Sequence, residues 1–159
     1  MKLIILRGKI GSGKTTLQNL IVKTFHFEKV EIDEIKIRKY GTTKTCVPSV
    51  DFKEAGLLAK RLLLDGHNVV VEEAFLQLGH IQFLLEGLEN VKPSIIYIRL
   101  ECSEPTAMNR KIGTLDLDKH TILGQLGRPV DNIDGELLFN TDISTSENII
   151  EAIRDRLTN

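Results

Sequence analysis

Apolar residues come along this chain in two alternating rhythms. Leu3-Ile4-Ile5-Leu6 is an unbroken apolar run of the length of a buried strand. A glycine-rich stretch follows, and then Leu17, Leu20, Ile21 and Thr24 recur at helical spacing, which predicts a helix over 13–25 with His26 at or beyond its end. Val30-Glu31-Ile32-Asp33 alternates and reads as a short second strand that delivers Asp33 and Glu34 at its C-terminal end. Phe52, Ala55, Leu58, Ala59, Leu62 and Leu63 form a helical stripe over about 51–65, and Gly66 suits its stop.

The same exchange of rhythms carries on to the end. Val69-Val70-Val71 is β-branched without alternation, as expected of a strand covered on both faces, and it ends in Glu72 and Glu73. A helical pattern over 76–88 leads to the strand Ser94-Ile95-Ile96-Tyr97-Ile98-Arg99-Leu100. Ser103 caps a helix that runs to about Lys111 and carries Arg110 in its last turn. Residues 113–135, with four glycines and Pro129, form the least regular stretch and read as a lid. A last strand over 136–140 precedes a terminal helix bearing Ile149, Ile150, Ile153 and Leu157. Five strands alternating with helices imply a mostly parallel sheet with helices on both faces, because parallel strands need crossover connections. The expected fold class is therefore a three-layer α/β/α sandwich.

Composition narrows the picture. A length of 159 residues is that of one ordinary domain, so a single domain over 1–159 is expected. The 22 acidic and 21 basic residues nearly cancel, leaving no global field to draw the protein onto nucleic acid or an anionic membrane. A contact with a nucleic-acid end would have to be local. Cys46 and Cys102 are too few and too far apart for a disulfide framework or a CxxC metal site, and none of the four histidines stands at zinc-ligand spacing. The opening apolar run is too short for a signal-peptide core or a membrane span, so a cytoplasmic setting without a leader is expected.

Candidate chemistry concentrates in Gly8-Lys9-Ile10-Gly11-Ser12-Gly13-Lys14-Thr15, between the first strand and the first helix. This is the GxxxxGK[ST] pattern in its required context. Glycines at 8, 11 and 13 allow successive N–H groups to turn inward around a phosphate, and the helix start adds its dipole and unpaired donors. Lys14 would carry a point charge to the β and γ phosphates, and the Thr15 hydroxyl would be a magnesium ligand. Nucleotide contacts are expected from Gly8, Gly11, Ser12, Gly13, Lys14, Thr15 and Thr16.

The GKIGSGKTT loop, the EIDE and VVVEE strand ends, the SIIYIRLECSEPTAMNR segment and the closing LLFNTDIS together resemble small phosphate-loop kinases. The resemblance is to the branch holding zeta toxins, polynucleotide 5′-kinases and chloramphenicol phosphotransferases, with shikimate and gluconate kinases further off. It implies strand order 2-3-1-4-5, magnesium-bound ATP, and transfer of the γ-phosphoryl group to an acceptor hydroxyl. It also implies that Asp33 takes the acceptor proton, with Glu34 as the alternative carboxylate, and that Arg38 contacts acceptor or phosphate. Lys36, Lys39 and Lys44 would join Arg38 in an anion-friendly patch. Glu72 or Glu73, with Glu72 preferred, would hold a magnesium-bound water, and Arg110 would lie against adenine or phosphates. The lid departs from the family pattern, offering Lys111, Lys119 and Arg128, amid Asp116 and Asp118, in place of a second nearby arginine.

Three functions compete on this reading. The first is an ATP-dependent kinase whose acceptor is a small molecule or a nucleotide-like compound. The second is a nucleotide-hydrolysing switch in which Glu72 or Glu73 orients water; the chain lacks an NKxD-type guanine motif. The third is an ATP-binding protein without phosphotransfer.

Overall fold

The structure, a computed structural model, describes residues 1–111 and 119–158. Its elements in chain order are β1 (Lys2–Gly8), α1 (Lys14–Phe25), β2 (Glu28–Glu31), α2 (Ile32–Tyr40), α3 (Pro48–Leu64), β3 (Val69–Glu72), α4 (Leu78–Leu88), β4 (Ser94–Glu101), α5 (Glu104–Lys111), α6 (Lys119–Leu126), β5 (Leu137–Asn140) and α7 (Ser146–Thr158). The strands form one parallel sheet in the order β2-β3-β1-β4-β5. Both the layered fold and the strand order expected from the sequence are found.

The unbroken apolar runs explain which strands are central. Leu3, Ile4, Ile5 and Leu6 are all fully buried, because β1 is flanked by β3 and β4 and covered on both faces. Leu3 and Ile5 face a cluster with Phe52, Ala55 and Leu63 of α3 and Leu84 of α4. Ile4 and Leu6 face the opposite cluster, with Leu17 and Ile21 of α1 and Ile150 and Ile153 of α7. Two layers of helices thus take alternate residues of one strand.

Helices α3 and α4 approach so closely that only glycine fits at their crossing. A Cβ on Gly56 would stand 2.1 Å from the Leu84 carbonyl oxygen, and one on Gly87 would stand 2.3 Å from that of Lys53. The missing side chains let two backbones touch where larger residues would push the helices off the sheet.

Two boundaries differ from the sequence reading. β2 ends at Glu31, so Asp33 is not the last residue of a strand but lies in the first turn of α2. There the helix dipole favours carboxylates at positions 33 and 34, while Arg38 and Lys39 occupy the last turn. The stretch read as an irregular lid contains the helix α6, with Ile122 fully buried. Residues 113–118 of that lid, including Asp116 and Asp118, lie outside the described residues.

The carboxyl ends of the strands carry the candidate site residues. Pairing of Leu6 with Glu72 and of Gly8 with Leu100 brings the loop after β1 level with the ends of β3 and β4. That edge is where open parallel sheets place their ligands.

Candidate active site

The loop between β1 and α1 is shaped as an anion cradle. Gly8 has φ 144° and Gly13 φ 92°, conformations in the left-handed half of backbone space that side chains other than glycine rarely adopt. At Gly8 a Cβ would also strike the Leu100 carbonyl oxygen at 2.2 Å. Helix α1 starts at Lys14 without a side-chain cap, so its first N–H groups remain available at the cradle. The Ser12 hydroxyl is buried there with no hydrogen-bond partner among the described residues.

Lys14 folds back over this loop and donates to the Lys9 carbonyl at 3.1 Å. Burial pushes its ammonium below the usual lysine range, while Glu72 and Glu73 pull it back up. The Thr15 hydroxyl donates to Glu72 Oε1 at 2.8 Å. Burial pushes the Glu72 carboxyl up, against the opposing pull of Lys14 and the bond from Thr15.

The acidic pair after β3 divides its partners. Glu72 meets Thr15, whereas Glu73 accepts one bond from the Ala74 N–H at 2.8 Å and another from Lys36 of α2. Lys36 also donates to Asp33 at 3.1 Å, one helical turn earlier on the same face. Its ammonium sits well above the ordinary lysine range: burial lowers it, but Glu73 and Asp33 together outweigh that cost.

Arg110 closes the other side. Its guanidinium donates to the Gly11 carbonyl at 3.0 Å, to Thr141 Oγ1 at 2.9 Å and to the Thr141 carbonyl at 3.0 Å. The Thr141 hydroxyl in turn lies 3.1 Å from the Ser12 carbonyl. The turn after β5 is thereby stapled to the phosphate loop. Thr141 was not singled out in the sequence reading, although it lies inside the LLFNTDIS segment quoted for the resemblance.

These groups line one cavity of about 820 Å³: Lys14, Thr15, Thr16 and Arg110, together with Asp33, Lys36, Glu72 and Glu73. Gly11 and Gly13 line it as well, whereas Gly8 and Ser12 form the loop from behind. The other basic residues expected nearby are elsewhere. Arg38 is exposed and bonds Glu54 of α3, and Lys39 pairs with Glu54 at 2.7 Å and Asp51 at 3.1 Å. Neither Arg38, Lys44 nor Arg128 lines the cavity.

The residues fit a magnesium–nucleotide group. The uncapped start of α1 leaves backbone donors beside Gly13, which lines the cavity, and Thr15 with Glu72 presents the hard oxygen donors that magnesium prefers.

No family model matches the chain, and no curated protein matches it in sequence. In three dimensions it is similar to an APS kinase from Mycobacterium tuberculosis, solved in complex with AMPPNP and APS, at TM-score 0.77 and 12% identity over 99% of this chain and 98% of that one. A sugar kinase from Janibacter superposes at TM-score 0.73 with 17% identity, covering 97% and 93% of the two chains. Kti12 from Chaetomium thermophilum, in complex with ADP-AlF3, does so at TM-score 0.68 with 13% identity and 98% of each chain covered. The chain has the fold of small phosphate-loop kinases.

Proposed function

We propose that this protein is a magnesium-dependent phosphotransferase that moves the γ-phosphoryl group of ATP to a hydroxyl of an acceptor. The observation that carries this reading is that the Asp33 carboxylate of α2 lines the same cavity as Lys14 and Thr15 of the loop and α1. A carboxylate in one cavity with a phosphate cradle is what a kinase needs and what a nucleotide-holding protein does not. The fold neighbours solved with AMPPNP or ADP-AlF3 support a nucleotide in the cradle.

On this reading each residue has a separable task. The loop amides and Lys14 hold the phosphates and absorb the charge that develops on transfer. Thr15 and Glu72 would hold magnesium, which would supply neutralisation of phosphate charge. Asp33 orients the acceptor hydroxyl and takes its proton as the oxygen attacks. Arg110, fixed by Gly11 and Thr141, lies against the nucleotide and with Lys14 neutralises developing charge. Most of the rate comes from positioning and charge neutralisation, with proton removal a smaller part.

The test is Asp33→Asn. Nucleotide affinity by calorimetry should stay within about twofold, while label transfer from ATP to acceptors should fall about a hundredfold or more. Full transfer by this variant would remove Asp33 from the base role. Hydrolysis of ATP that no acceptor stimulates and that Asp33→Asn leaves intact would favour the switch reading.

A further inference from the structure

Resting on that phosphotransferase reading, we propose that the acceptor is a hydroxyl compound without phosphate, carboxylate or other anionic groups, bound either uncharged or as a cation. The inference comes from where the cations of the cavity are and what already holds them.

Four basic side chains line the cavity among the described residues. Lys14 belongs to the phosphate loop, Arg110 of α5 bonds the loop carbonyl of Gly11, and the charge of Lys111 beside it acts on Lys14, so all three gather at the loop. Only Lys36 comes from α2, beside Asp33, and it is committed. Its side chain is 7% exposed, wedged between Asp33 Oδ1 at 3.1 Å and Glu73. Turning Lys36 toward an incoming anion would break two charge-assisted bonds and leave the half-buried Glu73 carboxylate without its counter-ion. Stranding one member of a buried ion pair is among the costlier changes in a protein.

No other cation replaces it. Arg38 and Lys39 are held by Glu54 and Asp51 on α3, away from the cavity, and Lys44 is exposed outside it. The basic cluster that looks anion-friendly in one dimension is thus spent on interhelical pairing.

Meanwhile the space beside Asp33 is lined by carboxylates. A side chamber of about 200 Å³ opens between α2 and the end of β3, bounded by Glu31, Asp33, Glu34, Glu72 and Glu73, with Thr15, Ile32 and Ile37. Among the described residues no basic one lines it. Apart from Glu72, given to magnesium, and the carboxylates that Lys36 holds, Glu31 and Glu34 remain to repel an anionic group entering here. A sugar, a nucleoside or an amine-bearing alcohol meets no such barrier.

A charge-matched panel tests this. The protein loaded with magnesium and AMPPNP is titrated calorimetrically with a hexose, its 2-amino derivative, its 6-phosphate and its aldonate, and with a nucleoside and its 3′-monophosphate. The same compounds are offered with labelled ATP. Uncharged or amine-bearing members should be the ones bound or phosphorylated, with their anionic counterparts at least about a hundredfold poorer in kcat/KM. Where no member turns over, the anionic ones should still give no saturable heat. Glu73→Gln, which frees Lys36 from one carboxylate, should improve phosphorylated acceptors about tenfold relative to neutral ones.

A phosphorylated or carboxylated member that binds or reacts better than its neutral partner overturns this inference and leaves the kinase reading standing. Failure of magnesium–nucleotide to bind at all overturns both.

Discussion

At the scale of single residues, two carboxylates show how burial sets a role. Asp51 is fully buried at the start of α3 and accepts from the Val47 N–H at 2.7 Å, the Tyr40 hydroxyl at 2.9 Å and Lys39 at 3.1 Å. Burial would raise its carboxyl, yet those three donors hold it below the usual aspartate range. Because the folded-state value is the lower one, this pairing adds stability above the unfolded value of about 3.9 and loses it as pH falls through the folded value. Asp51→Asn should therefore be less stable than the parent at neutral pH and show a shallower loss below about pH 4, followed by urea denaturation across pH. Thr15 is the second case, this time for function. Thr15→Val keeps the shape and removes the oxygen, so nucleotide affinity should fall about tenfold in magnesium and stay unchanged in EDTA, read by calorimetry. Lys14 and Thr15 were identifiable from motif and spacing alone, since the phosphate loop is a local structure, whereas the choice between Glu72 and Glu73 was not. Lys36 was not, because its partners Asp33 and Glu73 lie on two different elements.

At the scale of elements, the crossing of α3 and α4 is the most demanding contact in the fold. Gly56→Ala would press a methyl group onto the Leu84 carbonyl, for which neither backbone has room. The helices must separate, costing about 1–3 kcal/mol. Chemical denaturation should show that loss while Asp33-dependent chemistry, which sits on α2, is reduced less than stability. The sequence pattern located both helices but gave no sign of their contact, since a glycine within a helical stripe looks the same whether it faces solvent or a backbone. The β2–α2 boundary was misplaced for a similar reason. Val30-Glu31-Ile32-Asp33 satisfies a two-residue strand rhythm and the first turn of a helix alike, and in the fold Val30 and Ile32 enter the same core cluster. α6 went unseen because its eight residues are few, include Gly124 and are followed by Gly127, and in the fold Ile122 is its buried residue.

At the scale of the whole molecule, a buried ionic cluster joins parts far apart in sequence. Arg7, fully buried at the end of β1, brings Nε to 2.9 Å from Glu136 Oε1 and donates to the Asp131 carbonyl. Arg99 of β4 reaches the other oxygen of Glu136 at 3.5 Å and donates to Asn132 at 3.0 Å. The segment leading from α6 to β5 is thereby fixed across the sheet, directly behind the phosphate loop. Glu136→Leu would leave two buried guanidinium groups facing each other without their shared counter-charge, and should lower stability by about 3–5 kcal/mol. Thermal unfolding read by circular dichroism would check this. Lysine in place of Arg7 should not substitute, because an ammonium cannot reach both Glu136 and Asp131 with a planar fork.

The sequence by itself determined the alternation of strands and helices, the parallel sheet, and the phosphate loop with Lys14 and Thr15, because each depends on residues that are neighbours in the chain or one helical turn apart. Only the tertiary structure decided that Glu72 meets Thr15 while Glu73 meets Lys36, that Arg38 turns to Glu54, and that Arg7 and Arg99 share Glu136. Those choices are made by charges competing across elements, where the winner is whichever partner the packing brings within reach, and no one-dimensional spacing records that distance.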